Sequence, residues 1–306
     1  MHLKSLLKID ALSRAEITSL LLDAYCFSSI YKDWQFSHYV PVANLFFENS
    51  TRTHFSFASA ELQLGLKVED WIPEFSSMTK GESLYDTCKT FESIGYKLLV
   101  IRHKQNEYFK ELENINIPIL NAGDGSGNHP TQCLLDLYTI LEHFHHLKGL
   151  NVLIVGDILH SRVANSDYQA LKMFGANCYF AGPKEFEREG FPFIDFDEGI
   201  KKADVVMMLR IQFERLETKM KISKEEYHLK YGLTKERYKK MKENSIIMHP
   251  APVNRGLEID SDLVEAKKSK IFKQMENGVL VRKAVIKRAF NYQPFNIDIK
   301  KIGWEL

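Results

Sequence analysis

The stretch "FFENSTRTHFSF", Phe46 to Phe57, sets Ser50, Thr51, Arg52 and Thr53 at one turn. Before them an apolar run reads as the end of a buried strand; after them an amphipathic helix begins. A helix start carries unpaired N–H groups and the positive end of the helix dipole, so it attracts phosphate. The three hydroxyls add donors, and Arg52 adds a full charge with a fork of N–H groups. The plainer reading is an N-cap, in which Ser50 closes its own helix. Three hydroxyls around an arginine, straight after a buried strand, favour the phosphate reading.

Polar residues of the same kind follow other apolar runs. Arg102 and His103 follow "LLVI". Asn121 follows "PIL" and leads through a glycine-rich loop to His129 and Gln132. Arg162 comes after "VLIVGD", Arg210 and Gln212 after "VVMML", and His249 with "PAPVNRG" after "IIM". In open parallel sheets the ligand crevice lies at the carboxyl ends of the strands, so these residues should share an edge. Carboxylates are scarce among them. The set suits a doubly anionic ligand rather than a metal or a glycosidic bond. No G-x-x-x-x-G-K-[ST] occurs, and neither "GDGSGN" nor "VGD" is a G-x-G-x-x-G fingerprint, so no nucleotide cofactor is expected.

The elements that must position these groups alternate. Ser13 and Glu16 form a capping box before a helix of about 20 residues. "VANLFF" reads as a strand, Thr51 to Leu64 as a helix with Gly65 as its C-cap, and "KVEDWI" as a strand. Residues 73–83 are polar and aperiodic, a loop; a helix to Gly95, the strand "KLLVIRH" and a helix to about His146 follow. At "HLKGLNVLIVGD" the pattern restarts, with strands at "NVLIVGD", "NCYFAG", "DVVMMLR" and "SIIMHP". The fold class is therefore α/β: two domains, 1–147 and 148–270, each a parallel sheet flanked by helices and linked by interdomain helices. The last helix, about 271–290, packs back on the first domain.

Lys and Arg number 41 against 40 Asp and Glu in 306 residues, so there is no global basic field for nucleic acid. Cys26, Cys88, Cys133 and Cys178 form no C-x-x-C pair, which argues against a zinc site or a disulfide scaffold. Neither a signal-peptide h-region nor an eighteen-residue apolar stretch occurs, so a cytoplasmic protein without membrane partners is expected. Cys133 has no base beside it and reads as a small helix residue. "HFHHL", 143–147, reads as a solvated helix end, with metal binding as the rival.

Together "FFENSTRT", "KGESLYDT", "VIRH", "NAGDGSGNHPTQ", "GDILHSRV", "LRIQFER" and "MHPAPVNRG" resemble the aspartate carbamoyltransferase catalytic-chain family, in that family's order, from about 42 to 290. The resemblance implies transfer of a carbamoyl group from carbamoyl phosphate to L-aspartate, an early step of pyrimidine biosynthesis, with no cofactor or metal. It implies that Ser50, Thr51, Arg52 and Thr53 hold the phosphate, and that Arg102, His129 and Thr53 polarise the carbamoyl carbonyl. Gln132, with backbone around Pro250 and Ala251, would hold the carbamoyl NH2. Arg162, Arg210 and Gln212, with Ala251 and Pro252, would bind aspartate. Ser77, a carbamoyl phosphate contact, and Lys80, a catalytic residue and aspartate contact, would come from a neighbouring subunit of a homotrimer with shared active sites. Regulatory or dihydroorotase chains are further partners the resemblance allows. On this reading 1–147 is the carbamoyl phosphate-binding domain and 148–270 the aspartate-binding domain.

Three positions depart from the pattern. His54 stands where a second Arg is usual in "STRTR", Leu159 where Lys is common and Asn165 where Arg is common. The nearest alternative is an ornithine carbamoyltransferase, which carries H-C-L-P where this chain has "HPAP". A cationic substrate beside Arg162 and Arg210 would be repelled. A non-catalytic paralogue is the alternative from another class.

Overall fold

The structure is a computed structural model that describes residues 4–73, 76–211 and 222–306. It divides into two compact units, Met1–Tyr138 with Met275–Gly303, and Thr139–Gln274 with Trp304–Leu306.

The first unit is built on strands β1 (Pro41–Phe46), β2 (Lys67–Trp71), β3 (Leu99–His103) and β4 (Ile119–Asp124). They form one parallel sheet in the order β2-β1-β3-β4. The interior strands β1 and β3 are largely apolar, as expected where helices cover both faces, and β4, though last in the sheet, is also buried throughout. The edge strand β2 carries Lys67, Glu69 and Asp70 and is mostly exposed. Helices α1 (Arg14–Ser28), α2 (Thr51–Gln63) and α3 (Leu84–Ser93) follow in chain order around these strands. Ala43, Leu45, Leu99 and Ile101 pack with Leu84, Cys88 and Tyr108 in a core cluster.

The second unit is built on β5 (Asn151–Val155), β6 (Asn177–Ala181), β7 (Val205–Met208) and β8 (Ile246–Met248), again parallel, in the order β6-β5-β7-β8. Its helices include α5 (Arg162–Met173), α6 (Phe196–Lys202), α7 (Lys224–Tyr231) and α8 (Lys235–Lys240). The boundary between units falls within two helices, α4 (Pro130–Phe144) and α9 (Ile271–Ala289). In each sheet the chain leaves one central strand toward either side. The topological switch point lies between β1 and β3 in the first and between β5 and β7 in the second, where open α/β sheets carry ligands.

Two local readings change. The capping box of Ser13 and Glu16 is present, but α1 has 15 residues and ends at Ser28. There the Ser28 and Ser29 hydroxyls both bond the Tyr25 carbonyl at 2.8 Å, competing with the helix ladder. The polar segment read as a loop contains a 3-10 turn, Ser77–Lys80, in which the Thr79 hydroxyl bonds the Ser76 carbonyl.

Candidate active site

At the start of α2, Ser50 is the N-cap in extended conformation, yet its hydroxyl makes no capping bond to the helix. The caps of α1, α3, α5, α6, α7 and α8 all accept an N–H of their own first turn. The first turn of α2 therefore keeps N–H groups that its cap does not satisfy. Thr51 is exposed, Arg52 half-buried and Thr53 buried.

Beside it, Arg102 lies level with Phe46 across the β1–β3 pair, and its carbonyl accepts the Phe47 N–H at 2.9 Å. Its Nε is 3.3 Å from the Glu48 carboxylate, and its Nη1 reaches the Ala122 carbonyl at 3.4 Å. The guanidinium is thus tied to both neighbouring segments at the switch point.

The loop after β4 is organised by Asp124, fully buried, which accepts N–H groups of Asn128 at 2.6 Å and Glu107 at 2.7 Å. Gly127 is needed there because a Cβ would meet Asp124 Oδ2 at 2.7 Å. His129 follows, buried, just before α4; its carbonyl accepts the N–H groups of Gln132 and Cys133. Gln132 donates its amide to Asp136 in the same helix.

Two residues gathered at this edge from the sequence have other work. Asn121 lies inside β4, giving its amide to the Leu7 carbonyl and accepting from Gly123. His103 accepts the Gln105 N–H and packs between Phe47 and Tyr108, and burial holds its pKa below the ordinary range. The expected scarcity of carboxylates also fails: Glu48, Asp124 and Asp136 stand among these groups, each accepting or pairing.

In the second unit, Arg162 opens α5 just after β5, with the Ser161 hydroxyl capping Ala164. Arg210, exposed, follows β7 by two residues. Its neighbour Ile211 donates to Glu258, and the Ile211 carbonyl accepts from Asn254. After β8, His249 Nδ1 accepts the Ala251 N–H at 2.8 Å, and Ala251 takes a φ of 51° in the turn Pro250–Ala251–Pro252. So Arg162, Arg210 and this turn lie at the carboxyl ends of three adjacent strands. Gln212 lies outside the described residues.

Ser77 and Lys80 are exposed on their 3-10 turn. His54 pairs with Asp70 at 2.7 Å and packs on Phe46, so an imidazole faces a carboxylate where the pattern has Arg. Leu159 is 41% exposed and Asn165 sits in the first turn of α5. All four cysteines are free and buried, and desolvation pushes Cys88 and Cys178 up to about 12, which keeps them protonated and inert. His143 meets the Asn244 carbonyl at 3.2 Å, and among the described residues no cluster of three or more His, Cys, Asp or Glu side chains is arranged for a metal ion. None of the described helices is long and apolar enough to cross a membrane.

Residues 4–142 match the aspartate/ornithine carbamoyltransferase carbamoyl-P binding domain, and residues 148–288 the Asp/Orn binding domain of the same family. The chain belongs to the aspartate/ornithine carbamoyltransferase family. The aspartate carbamoyltransferase catalytic subunit of Staphylococcus carnosus is 55% identical over 286 residues, 93% of this chain and 94% of that protein. The catalytic subunit of M. jannaschii aspartate transcarbamoylase is 32% identical with a TM-score of 0.84, covering 94% of this chain and 98% of that one. The Trypanosoma cruzi enzyme bound to N-(phosphonacetyl)-L-aspartic acid is 29% identical with a TM-score of 0.83, over 92% and 94% of the two chains.

In this carbamoyltransferase the groups that sequence reading passed over are the supporting ones: Glu48, Asp136, Asn254 and Glu258. Two pairs left a local signal, a spacing of four: Gln132 with Asp136 in α4, and Asn254 with Glu258. Glu48 reaches Arg102, and Glu258 reaches Ile211, only through the fold.

Proposed function

We propose that this chain transfers the carbamoyl group of carbamoyl phosphate to the amino group of L-aspartate, giving N-carbamoyl-L-aspartate and phosphate, an early step of pyrimidine biosynthesis. The observation that carries the reading is the start of α2, where Ser50 leaves the helix N–H groups uncapped beside Arg102 at a switch point. That arrangement suits a phosphate dianion.

In the proposed reaction Ser50, Thr51, Arg52 and Thr53 hold the phosphate. Arg102, His129 and Thr53 aim donors at the carbamoyl oxygen, where negative charge develops as the amine attacks. Losing one such donor typically costs roughly 100–1,000-fold in rate. Gln132 and the backbone of Pro250 and Ala251 take the carbamoyl NH2. Arg162, Arg210 and Gln212, with Ala251 and Pro252, take the aspartate carboxylates. The C–N bond forms as the C–O bond to phosphate breaks. Arg52 and Lys80 stabilise the charge that passes to the leaving phosphate, which accepts the ammonium proton. No protein nucleophile is needed, and juxtaposing amine and carbonyl supplies much of the remaining acceleration.

The first unit is the proposed carbamoyl phosphate domain and the second the aspartate domain. A homotrimer, in the cytoplasm, is the proposed working form, with Ser77 and Lys80 completing a neighbour's site. Their exposure supports this, as do the exposed apolar side chains Phe55 and Leu62 of α2 and Ile72 after β2. Incubation with carbamoyl phosphate and either L-aspartate or L-ornithine tests the assignment. Carbamoyl-aspartate alone is expected; citrulline alone, or no product, overturns it.

A further inference from the structure

A glutamine amide donates at one end and accepts at the other, so its orientation decides what it can hold. In α4, Gln132 Nε2 lies 3.1 and 3.2 Å from the two carboxylate oxygens of Asp136. An ionised carboxylate only accepts, so the amide nitrogen must face Asp136 and Oε1 must lie at the opposite end. Both side chains are buried, at 7% and 2% exposure, so water offers little competition.

A carboxylate this deep needs a counter-charge to stay ionised. Arg282 of α9 is buried in the same unit, and its positive charge and the Asp136 carboxylate favour one another. Burial brings its pKa down only to about 9, so it remains a cation at neutral pH. The guanidinium is held in turn. Its Nη1 donates to the Ser56 hydroxyl at 2.9 Å, and it lies 5.0 Å from the centre of the Phe57 ring. Gly278 leaves it room, since a Cβ there would stand 2.5 Å from Nη1.

We propose that Asp136 is a positioning residue that makes Gln132 an obligate hydrogen-bond acceptor and so selects carbamoyl phosphate over an acyl phosphate of the same shape. The proposal rests on the reading that Gln132 meets the carbamoyl NH2. An NH2 group donates to Oε1. The methyl group of acetyl phosphate, otherwise isosteric, cannot. Without Asp136 the amide can turn, and its nitrogen would then oppose the ligand NH2.

Three constants are measured on the full chain: KM for carbamoyl phosphate with L-aspartate, and inhibition constants for acetyl phosphate and for inorganic phosphate. The selectivity is the ratio of the acetyl phosphate constant to the carbamoyl phosphate KM. Asp136→Asn and Asp136→Ala should each lower it about tenfold, to the level of Gln132→Ala, while inorganic phosphate binding stays put. Adding Asp136→Ala to Gln132→Ala should change the ratio no further. The transposed pair Gln132→Glu with Asp136→Asn puts an oxygen at both ends of residue 132 and a donor at 136, and should restore the wild-type ratio.

An unchanged ratio in folded Asp136 variants overturns the proposal. So does equal weakening of all three ligands, which marks a structural role. If the single variants do not fold, the transposed pair decides: a restored ratio supports the proposal and a collapsed one overturns it. Failure of the wild type to form carbamoyl-aspartate would instead strike at the functional reading beneath it.

Discussion

Glu258 accepts the backbone N–H of Ile211 at 2.9 Å, across 47 residues of chain. The same carboxylate accepts the backbone N–H and the side-chain amide of Asn254, both at 2.7 Å. Asn254 in turn gives its amide to the Ile211 carbonyl at 3.1 Å. One fully buried carboxylate thus joins the exit of β7, which carries Arg210, to the segment that carries Pro250–Pro252.

Glu258→Ala should therefore loosen both segments together. It strands donors that each cost roughly 1–3 kcal/mol when buried unpaired, so unfolding free energy should fall by about 3 kcal/mol or more. KM for L-aspartate should rise more than KM for carbamoyl phosphate. Denaturant unfolding and steady-state kinetics check the two parts.

Arg52→Ala should keep the fold and lose phosphate affinity by roughly 1.5–3 kcal/mol, the worth of a hydrogen bond to a charged group. The loss in kcat/KM should be larger if charge grows on the phosphate during transfer. Near-normal turnover in the folded variant would rule out the assignment.

Arg210→Ala should weaken a phosphonate joined to L-aspartate by roughly 1.5–3 kcal/mol and leave inorganic phosphate binding nearly unchanged. Calorimetric titration with both ligands separates these. Equal loss for both would make Arg210 a structural residue.

Mixing Arg52→Ala and Lys80→Ala chains tests whether sites are shared. Each homotrimer should be nearly inactive. Random reassembly at equal ratio pairs a good pocket with a good neighbouring loop at about one site in four, so about a quarter of wild-type activity should return. Mixed trimers no more active than the parents would mean that Lys80 does not act across subunits.

Glu61, fully buried on α2, bonds the Asn44 amide at 2.9 Å, and desolvation pushes its pKa up to about 8, with Asp70 adding to the rise. Its folded pKa lies above the ordinary value of 4.5, so the native state holds a proton that the unfolded chain has released. Stability from this group is full below that ordinary value and is lost as pH rises toward 8. Glu61→Gln should remove the dependence. Wild type should fall relative to the variant by up to about 1.4 kcal/mol per pH unit in that window. Denaturation midpoints of both chains between pH 5 and 8, at ~1-unit steps, check this.

Much of the architecture was legible because parallel strands covered on both faces must be apolar throughout. "NVLIV" and "VVMM" can be little else, and glycine, hydroxyl and arginine residues punctuate their ends. Motif order along the chain pointed to the family in the same way, because the polar motifs fall one after another behind the apolar strands. The sequence by itself determined two parallel sheets and which groups stand at their carboxyl ends. Only the tertiary structure decided how those groups are held. Glu48 against Arg102, Glu258 beneath Ile211, and Arg282 on a helix 226 residues from its partner Ser56 are pairings that folding creates. A carboxylate or guanidinium has no periodicity to announce its partner. Its cost in a dry interior is met only by a specific neighbour, and chain topology, not local pattern, brings that neighbour within reach.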